Sequence, residues 1–195
     1  MSNFTSMLRP LINQKFVIIH GYTASPEKNW FPWLKSQLEA LGAQVDVPDM
    51  PDSLSPDPVK WQQRLQQLPF DIDKESVLIG HSLGCVTALR FLQNKNQAVK
   101  GYVLVSGFDE EQQTLPELRS HTLSPLGYAT LTDLADKRIS IISTNDEIVS
   151  PSSSKVLAEA LKTQVILEEN AGHFLDREGY TTFPTLLEAI KQQFG

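Results

Sequence analysis

The sequence predicts a three-layer α/β/α sandwich built on a mostly parallel sheet of about six strands. Short apolar runs recur along the 195-residue chain, and most of them are continuous rather than alternating, which is typical of strands buried on both faces. Helical patterns separate these runs, and such alternation of strand and helix indicates a parallel sheet covered on both sides. The predicted strands are 16–20, 44–47, 77–80, 102–106, 139–143 and 164–168.

Five helical patterns accompany the strands. Asp57-Pro58 predicts the start of the second helix, because proline suits the first helical turn. Gly42 predicts the end of the first helix. The apolar positions that define the five helices lie within 33–41, 59–68, 86–92, 156–161 and 183–190.

The segment 107–137 interrupts the alternation of strands and helices. Its periodicity is weak, it contains Pro116 and Pro125, and it is too long for a plain connector. We interpret it as part of a helix together with a short cap over the crevice that lies beyond the carboxyl ends of the strands. The length of the chain predicts that residues 1–195 form a single domain.

Composition argues against several classes of partner. The net charge is −6 and the pI is about 5.2, so we expect no binding of nucleic acid or of a membrane surface by charge. The sequence has no HExxH, CxxC, GxGxxG or GxxxxGK[ST] motif. We therefore expect no metal and no cofactor.

The cysteine count and the N-terminus predict the compartment. The first residues, MSNFTSMLRPLINQK, lack a positive segment followed by a long apolar core, so they do not resemble a signal peptide. Cys85 is the single cysteine, which excludes an internal disulfide and fits a reducing environment. We expect a cytoplasmic protein that is a monomer by default.

The run SVLIGHSLGCVTALRFL, residues 76–92, contains a candidate nucleophile. Gly80-His81-Ser82-Leu83-Gly84 matches GxSxG and lies between a predicted strand and a predicted helix. In that context the serine sits on a strained turn with its hydroxyl at the top of the sheet. The alternative is a serine that caps the helix between two packing glycines. We interpret His81 and Cys85 as packing residues.

A serine nucleophile needs a base and a carboxylate that orients the base. Asp146 and His173 each follow a predicted strand, in the chain order Ser, Asp, His that this kind of fold uses. Glu147 is adjacent to Asp146, and we prefer Asp146 because it comes directly after the strand-end turn. The alternatives are an Asx turn for Asp146 and a surface loop position for His173. His20 is interpreted as structural.

The oxyanion of the reaction would need two backbone donors. The Leu83 N–H lies at a predicted helix N-terminus, and the Tyr22 N–H lies in the loop after the first strand. Gly21, Trp30 and Phe31 are our candidates for residues that line the substrate pocket. For the aromatic residues we favour Trp33 in the core, with only Trp30 or Phe31 near the mouth.

Six motifs are distributed along the chain: HGYTASPEKNWFPWL, DMPD with Trp61 beyond it, GHSLG, SGF, TNDEIVSP and AGHF. With these motifs the chain resembles the compact serine hydrolases related to retinoblastoma-binding protein 9, which have an α/β-hydrolase fold with a minimal cap. The resemblance covers nearly the whole sequence and implies Ser82, Asp146 and His173 as the catalytic triad.

The predicted activity is hydrolysis of small carboxylic esters or thioesters through an acyl-enzyme, as in a carboxylesterase. A peptidase or amidase with the same triad is an alternative, because the same residues can attack an amide. A protein-interaction module on a hydrolase scaffold is a further alternative. The sequence does not identify the natural substrate or its acyl chain.

Overall fold

Six parallel strands form one sheet at the centre of the structure, a computed structural model that describes residues 9–195. The first residues of the N-terminal segment discussed above therefore lie outside the described part. The order of strands across the sheet is β2-β1-β3-β4-β5-β6, which confirms the predicted sheet. The strands are β1 Lys15–Ile19, β2 Gln44–Asp46, β3 Ser76–His81, β4 Val99–Val105, β5 Ala135–Ser143 and β6 Gln164–Glu168.

Seven α-helices cover the two faces of the sheet in the part of the chain that the structure describes. The Asp57 carboxylate accepts a hydrogen bond from the Lys60 N–H at 2.9 Å and caps α2, as the Asp57-Pro58 pair predicts. The helices are α1 Phe31–Ala40, α2 Pro58–Leu65, α3 Leu83–Lys95, α4 Arg119–Thr122, α5 Tyr128–Asp133, α6 Pro151–Ala160 and α7 Pro184–Phe194.

The sheet separates two apolar cores. One core packs α2, α3 and α6 against one face and includes Trp61 and Leu89, while the other packs α1 and α7 against the opposite face and includes Phe31 and Ile190. The chain runs from β1 to β2 at one edge of the sheet. It then continues on the other side of β1, from β3 to β6 at the opposite edge. This reversal opens a crevice at the carboxyl ends of β1 and β3.

The last residues of the segment 107–137, which we expect to form a small cap, belong to the sheet. β5 begins at Ala135 rather than at Ile139, because Ala135 and Lys137 pair with Val99 and Gly101 of β4. A 3-10 turn, Pro116–Leu118, leads into the two short helices α4 and α5. Among residues 9–195, none of the helices combines the length and the hydropathy that crossing a bilayer requires.

The start of α3 lies against β1 with no room for a side chain at Gly84. A Cβ atom there would come within 2.0 Å of the Ile19 carbonyl oxygen and 2.8 Å of the His20 carbonyl oxygen. Both obstacles are backbone atoms, so no change of rotamer could relieve the overlap. The small residue at this position lets the helix begin directly beside the first strand.

We expect Gly84→Ala to lower the free energy of unfolding by about 3 kcal/mol, the cost of overpacking a close backbone contact. Urea unfolding followed by circular dichroism measures the change. Gly127→Ala is the matched control, because the nearest atom to a Cβ at Gly127 is 3.4 Å away. Equal unfolding midpoints for the two variants would contradict this account of Gly84.

Candidate active site

Ser82 occupies the turn between β3 and α3 with a strained backbone. Its φ is 55° and its ψ is −120°, a conformation that residues with a Cβ rarely adopt. The Ser82 N–H donates to the Val105 carbonyl at 2.9 Å, which ties the turn to β4. The residue is only 4% exposed, and it lines a cavity at the carboxyl end of the sheet.

The glycines around Ser82 are needed because the backbone segments come close together. A Cβ at Gly80 would lie 2.6 Å from the backbone of Cys85, which packs the end of β3 against the first turn of α3. A Cβ at Gly21 would lie 3.1 Å from the Ser82 Cβ and 3.6 Å from its Oγ. The loop after β1 therefore passes directly beside the serine.

Asp146 lies just beyond β5 and is held by four hydrogen bonds. Its Oδ1 accepts from the N–H groups of Ile148 at 2.9 Å and Val149 at 3.0 Å. Its Oδ2 accepts from the Ser106 hydroxyl at 2.8 Å and from His173 Nδ1 at 2.7 Å. All the lone pairs that point into the protein are thus used, and the carboxylate has a fixed orientation.

These bonds determine the charge state of Asp146. Burial by itself would raise the pKa of Asp146, but the hydrogen bonds from His173, Val149 and Ser106 outweigh it and hold the pKa below its ordinary value. The carboxylate is therefore ionised at neutral pH. Sequence reasoning did not identify Ser106 as a partner, although its place directly after β4 is where functional residues of such sheets lie.

His173 directs one ring nitrogen at Asp146. Since an ionised carboxylate can only accept, the Nδ1–H of His173 is the donor in the 2.7 Å bond, and Nε2 is the basic nitrogen. His173 and Ser82 both line the cavity. No hydrogen bond joins the Ser82 hydroxyl to the His173 ring within residues 9–195. Glu147 is exposed and takes no part in these contacts.

The loop before His173 is attached to the turn before Asp146 by side chains. The N–H of Asn170 donates to Thr144 Oγ1 at 3.1 Å, and the N–H of Gly172 donates to Asn145 Oδ1 at 2.8 Å. The N–H of Ala171 donates to the hydroxyl of Ser143 at 3.1 Å. The sequence Ser143-Thr144-Asn145 thus fixes the distance between the two loops that carry the carboxylate and the imidazole.

Both backbone polar groups of His173 are also bound by side chains. The His173 N–H donates to Glu178 Oε2 at 2.8 Å, and the same oxygen accepts from the Leu175 N–H at 3.0 Å. The His173 carbonyl accepts from His81 Nε2 at 2.8 Å. Sequence reasoning missed Glu178, because nothing in the pattern around this exposed glutamate distinguishes it from a surface residue.

His81 is buried and uncharged. Desolvation, followed by the nearby His173, lowers the pKa of His81 to about 3. Its ring packs against Trp30, Phe31 and His173, with centroids 5.8, 5.8 and 5.0 Å away. Cys85 is also buried, as expected of a packing residue, and desolvation raises the pKa of its thiol far above the ordinary value.

Two backbone N–H groups beside Ser82 have no partner in the described part of the chain. They belong to Tyr22, which lines the cavity, and to Leu83, the first residue of α3. The Tyr22 loop is held by His20, whose Nδ1–H donates to the Gly21 carbonyl at 2.9 Å while its Nε2 accepts from the Met50 N–H at 3.0 Å. The prediction that His20 is structural is confirmed.

The cavity has a volume of about 400 Å³ and two different walls. One wall comes from the loop after β1 and the loop that follows His173, and the other comes from the cap and the segment after Asp146. Thr114 of the cap is bound to this segment through the Ile148 carbonyl. Residues of the walls include Gly21, Tyr22, Lys28, Asn29, Leu115, Glu147, Ile148, Leu175 and Arg177.

The expected positions of the aromatic residues are partly wrong. Gly21 lines the cavity, but Trp30 and Phe31 are fully buried beneath it in the apolar core. Trp33, which was expected in the core, is only half-buried. The difference arises because α1 begins at Phe31. Phe31, Leu34 and Leu38 then form the inward face of the helix, and Trp33 lies at the side of that face.

Comparison with known proteins places this arrangement in a family. The pattern of the family described as "Serine hydrolase" matches residues 16–192. This chain belongs to the serine hydrolase family. The chain is 35% identical to YdeN of Bacillus subtilis over 185 residues, which cover 94% of this chain and 97% of YdeN. It is 24% identical to serine hydrolase RBBP9 of Rattus norvegicus over 164 residues, 83% of this chain and 84% of RBBP9.

Solved structures share the fold of this serine hydrolase. The crystal structure of the ydeN gene product from B. subtilis superimposes with a TM-score of 0.90 at 36% identity, over 93% of this chain and 99% of that one. Est1E from Butyrivibrio proteoclasticus, solved with ferulic acid bound, gives a TM-score of 0.69 at 15% identity, over 94% and 89% of the two chains. The predicted α/β-hydrolase fold is confirmed.

The buried, neutral His81 predicts that this serine hydrolase loses stability on mild acidification. An unfolded histidine titrates near 6.5, whereas folded His81 resists protonation down to about pH 3. Between these values the unfolded state binds the extra proton, so stability falls as the pH falls. We expect His81 to account for about 2.5 kcal/mol of the loss in unfolding free energy between pH 7 and pH 4.5.

The measurement is urea unfolding at pH 7, 6, 5.5 and 4.5 for the wild type and for His81→Gln. The variant should show a shallower dependence on pH. His121→Gln serves as a comparison, because desolvation also lowers the pKa of His121. Identical pH dependence in the wild type and His81→Gln would contradict the neutral state of His81.

Proposed function

We propose that this serine hydrolase cleaves small carboxylic esters or thioesters through a triad of Ser82, His173 and Asp146. The observation that carries the proposal is the buried 2.7 Å bond from His173 to the ionised Asp146, at the edge of the cavity that Ser82 lines. A carboxylate in this position fixes the tautomer of the imidazole and stabilises the imidazolium.

The reaction would proceed in two halves. His173 Nε2 takes the proton of the Ser82 hydroxyl while Oγ attacks the carbonyl carbon, and the tetrahedral oxyanion accepts hydrogen bonds from the Leu83 and Tyr22 amides. Collapse expels the alcohol or thiol, which takes the proton from His173, and leaves an acyl group on Ser82. Water, deprotonated by His173, then attacks the acyl carbon. The bond from this carbon to Ser82 Oγ breaks, Oγ takes the proton back from His173, and the acid is released.

Two features of the site support this sequence of steps. The strained backbone of Ser82 at the end of a parallel strand is what a nucleophile elbow would require, and this supports the proposal. The unpartnered N–H groups of Leu83 and Tyr22 flank the serine as a pair of oxyanion donors would. The lack of a bond between Ser82 and His173 does not oppose the proposal, because such contacts often tighten only when substrate is bound.

The cavity favours small substrates over large ones. A volume of about 400 Å³ is at the lower end of the range for ligand sites. The cap that bounds the cavity contains only the short helices α4 and α5, too little for the large apolar lid of an interfacial lipase. We further propose a cytoplasmic location, since the single cysteine Cys85 is buried and reduced.

A fluorophosphonate probe tests whether Ser82 is an activated nucleophile. We expect the wild type to be labelled, and Ser82→Ala and His173→Ala to lose labelling and about 10⁶-fold in kcat. Turnover is measured on p-nitrophenyl esters from acetate to long acyl chains and on a matched p-nitroanilide. Faster cleavage of the anilide than of the ester would favour the amidase alternative, and no labelling of the wild type would favour an interaction module.

The adjacent acids Asp146 and Glu147 provide a matched pair of variants. We expect Asp146→Asn to lower kcat by about 10⁴-fold, because an amide in this position favours the wrong imidazole tautomer. Glu147→Gln makes the same chemical change one residue away, on an exposed side chain that lines the cavity but that, within residues 9–195, forms no hydrogen bond with Ser82, Asp146 or His173. Its kcat should stay within about threefold of the wild type, and equal losses in both variants would argue against Asp146 as the orienting carboxylate.

A further inference from the structure

The backbone of His173 is held from two directions by side chains that the proposed mechanism does not use. Glu178 binds the N–H of His173 at 2.8 Å, and His81 binds its carbonyl at 2.8 Å. These bonds fix the two peptide units on either side of the residue. The rotamers that a side chain can adopt depend on the conformation of its own backbone. The two peptide units therefore determine where the imidazole lies.

We propose that His81 and Glu178 are positioning residues that hold the His173 imidazole between Asp146 and Ser82, and we name this pair the His173 clamp. The proposal rests on the triad mechanism proposed above. Neither residue takes or gives a proton in the reaction. Their contribution is to keep Nε2 at one place, and catalytic rates are sensitive to displacements of about 1 Å.

His81 is suited to this role by its surroundings. A carbonyl oxygen only accepts, so Nε2 of His81 carries the hydrogen of this bond. Trp30 packs edge-on against the His81 ring, and Phe31 packs against it at a tilt. Trp30 also packs on Phe183 of the core. The donor is therefore fixed to a rigid part of the fold, and its ring has no freedom to follow a shift of the loop.

Glu178 is suited to the role by its charge and by the shape of the loop. Its carboxylate binds two amides with one oxygen, and charge-assisted hydrogen bonds are stronger than neutral ones. Gly172 has a φ of 60°, and a Cβ there would lie 2.4 Å from the Glu178 carboxyl group. Phe174 has a φ of 58°, which is strained for a residue with a Cβ, so the backbone directly after His173 needs outside support.

The same kind of bond occurs elsewhere and provides a control for structural effects. His121 is buried, has a lowered pKa and contacts the Pro56 carbonyl through Nε2 at 3.1 Å. It packs on Trp61 and lies outside the residues that line the catalytic cavity. If His81 only stabilised the fold, removing its donor should affect catalysis no more than removing the donor of His121.

The test measures kcat and KM on p-nitrophenyl butyrate for four variants. His81→Phe keeps a ring but loses the donor, and Glu178→Ala loses the acceptor. We expect each to lower kcat by about 10- to 100-fold, with KM within about threefold, because the clamp acts on His173 and not on substrate. His81→Gln and Glu178→Gln retain a donor and an acceptor at similar reach, and we expect them to recover kcat to within about fivefold of the wild type.

His121→Phe is the matched control for His81→Phe. Glu159→Ala is the matched control for Glu178→Ala, because Glu159 is an exposed acid on α6. We expect their kcat to stay within about twofold of the wild type. Glu178→Ala removes an exposed side chain, so it tests the clamp even if His81→Phe fails to fold. Amide exchange of peptides covering 170–177 gives a second readout, and we expect faster exchange in Glu178→Ala than in Glu159→Ala.

The outcomes separate the clamp from the mechanism on which it rests. An active wild type with unchanged kcat in Glu178→Ala and His81→Phe would overturn the clamp and leave the triad standing. Glutamine variants as slow as Glu178→Ala and His81→Phe would also overturn it, because the hydrogen bonds would then not be the cause. A wild type that neither reacts with fluorophosphonate nor turns over esters would overturn the triad mechanism, and the clamp with it.

Discussion

The close contact of α3 with β1 is the constraint on which the site depends. Gly84 lets the first turn of the helix lie against the Ile19 carbonyl, and Gly80 lets the end of β3 lie against the backbone of Cys85. Between these contacts the chain must turn sharply, and Ser82 takes the strained conformation that results. The energy of this turn is offset by the packing of the two cores, which are continuous on both faces of the sheet. The strain is therefore a consequence of how tightly the helix is packed, and it leaves the serine at the wall of the cavity.

A second constraint joins the two loops that carry Asp146 and His173. Each loop follows its own strand, and neither contains regular structure that would hold it. Side chains of 143–145 accept the successive amides of 170–172, so that the backbone of one loop is satisfied by the side chains of the other. Short polar residues suit this role, because serine, threonine and asparagine can reach a neighbouring backbone without long flexible stems. The bond between Asp146 and His173 forms across loops whose separation is already fixed.

The sequence predicted the sheet and the positions of Ser82, Asp146 and His173 because these features follow local rules. Buried strands are continuous apolar runs, and residues that act at the top of a parallel sheet directly follow strand ends. The contacts of Ser106 and Glu178 depend on where loops meet in space, and neither residue has a spacing that reveals its partner. Trp30 and Phe31 were misjudged for a related reason. Their hydrophobicity fits a pocket wall and a core equally. The residue at which α1 begins determines which side chains of this segment face the core.

The four histidines show how one residue type is divided between structure and chemistry. His20, His81 and His121 are buried, and each makes its hydrogen bonds to backbone groups. Burial lowers the pKa of all three, because a backbone carbonyl does not compensate for the lost hydration of an imidazolium. Within residues 9–195, His173 is the one histidine that forms a hydrogen bond with a carboxylate, a partner that can stabilise positive charge on the ring. A neutral His81 therefore holds the His173 carbonyl by a hydrogen bond without placing a positive charge next to the His173 ring.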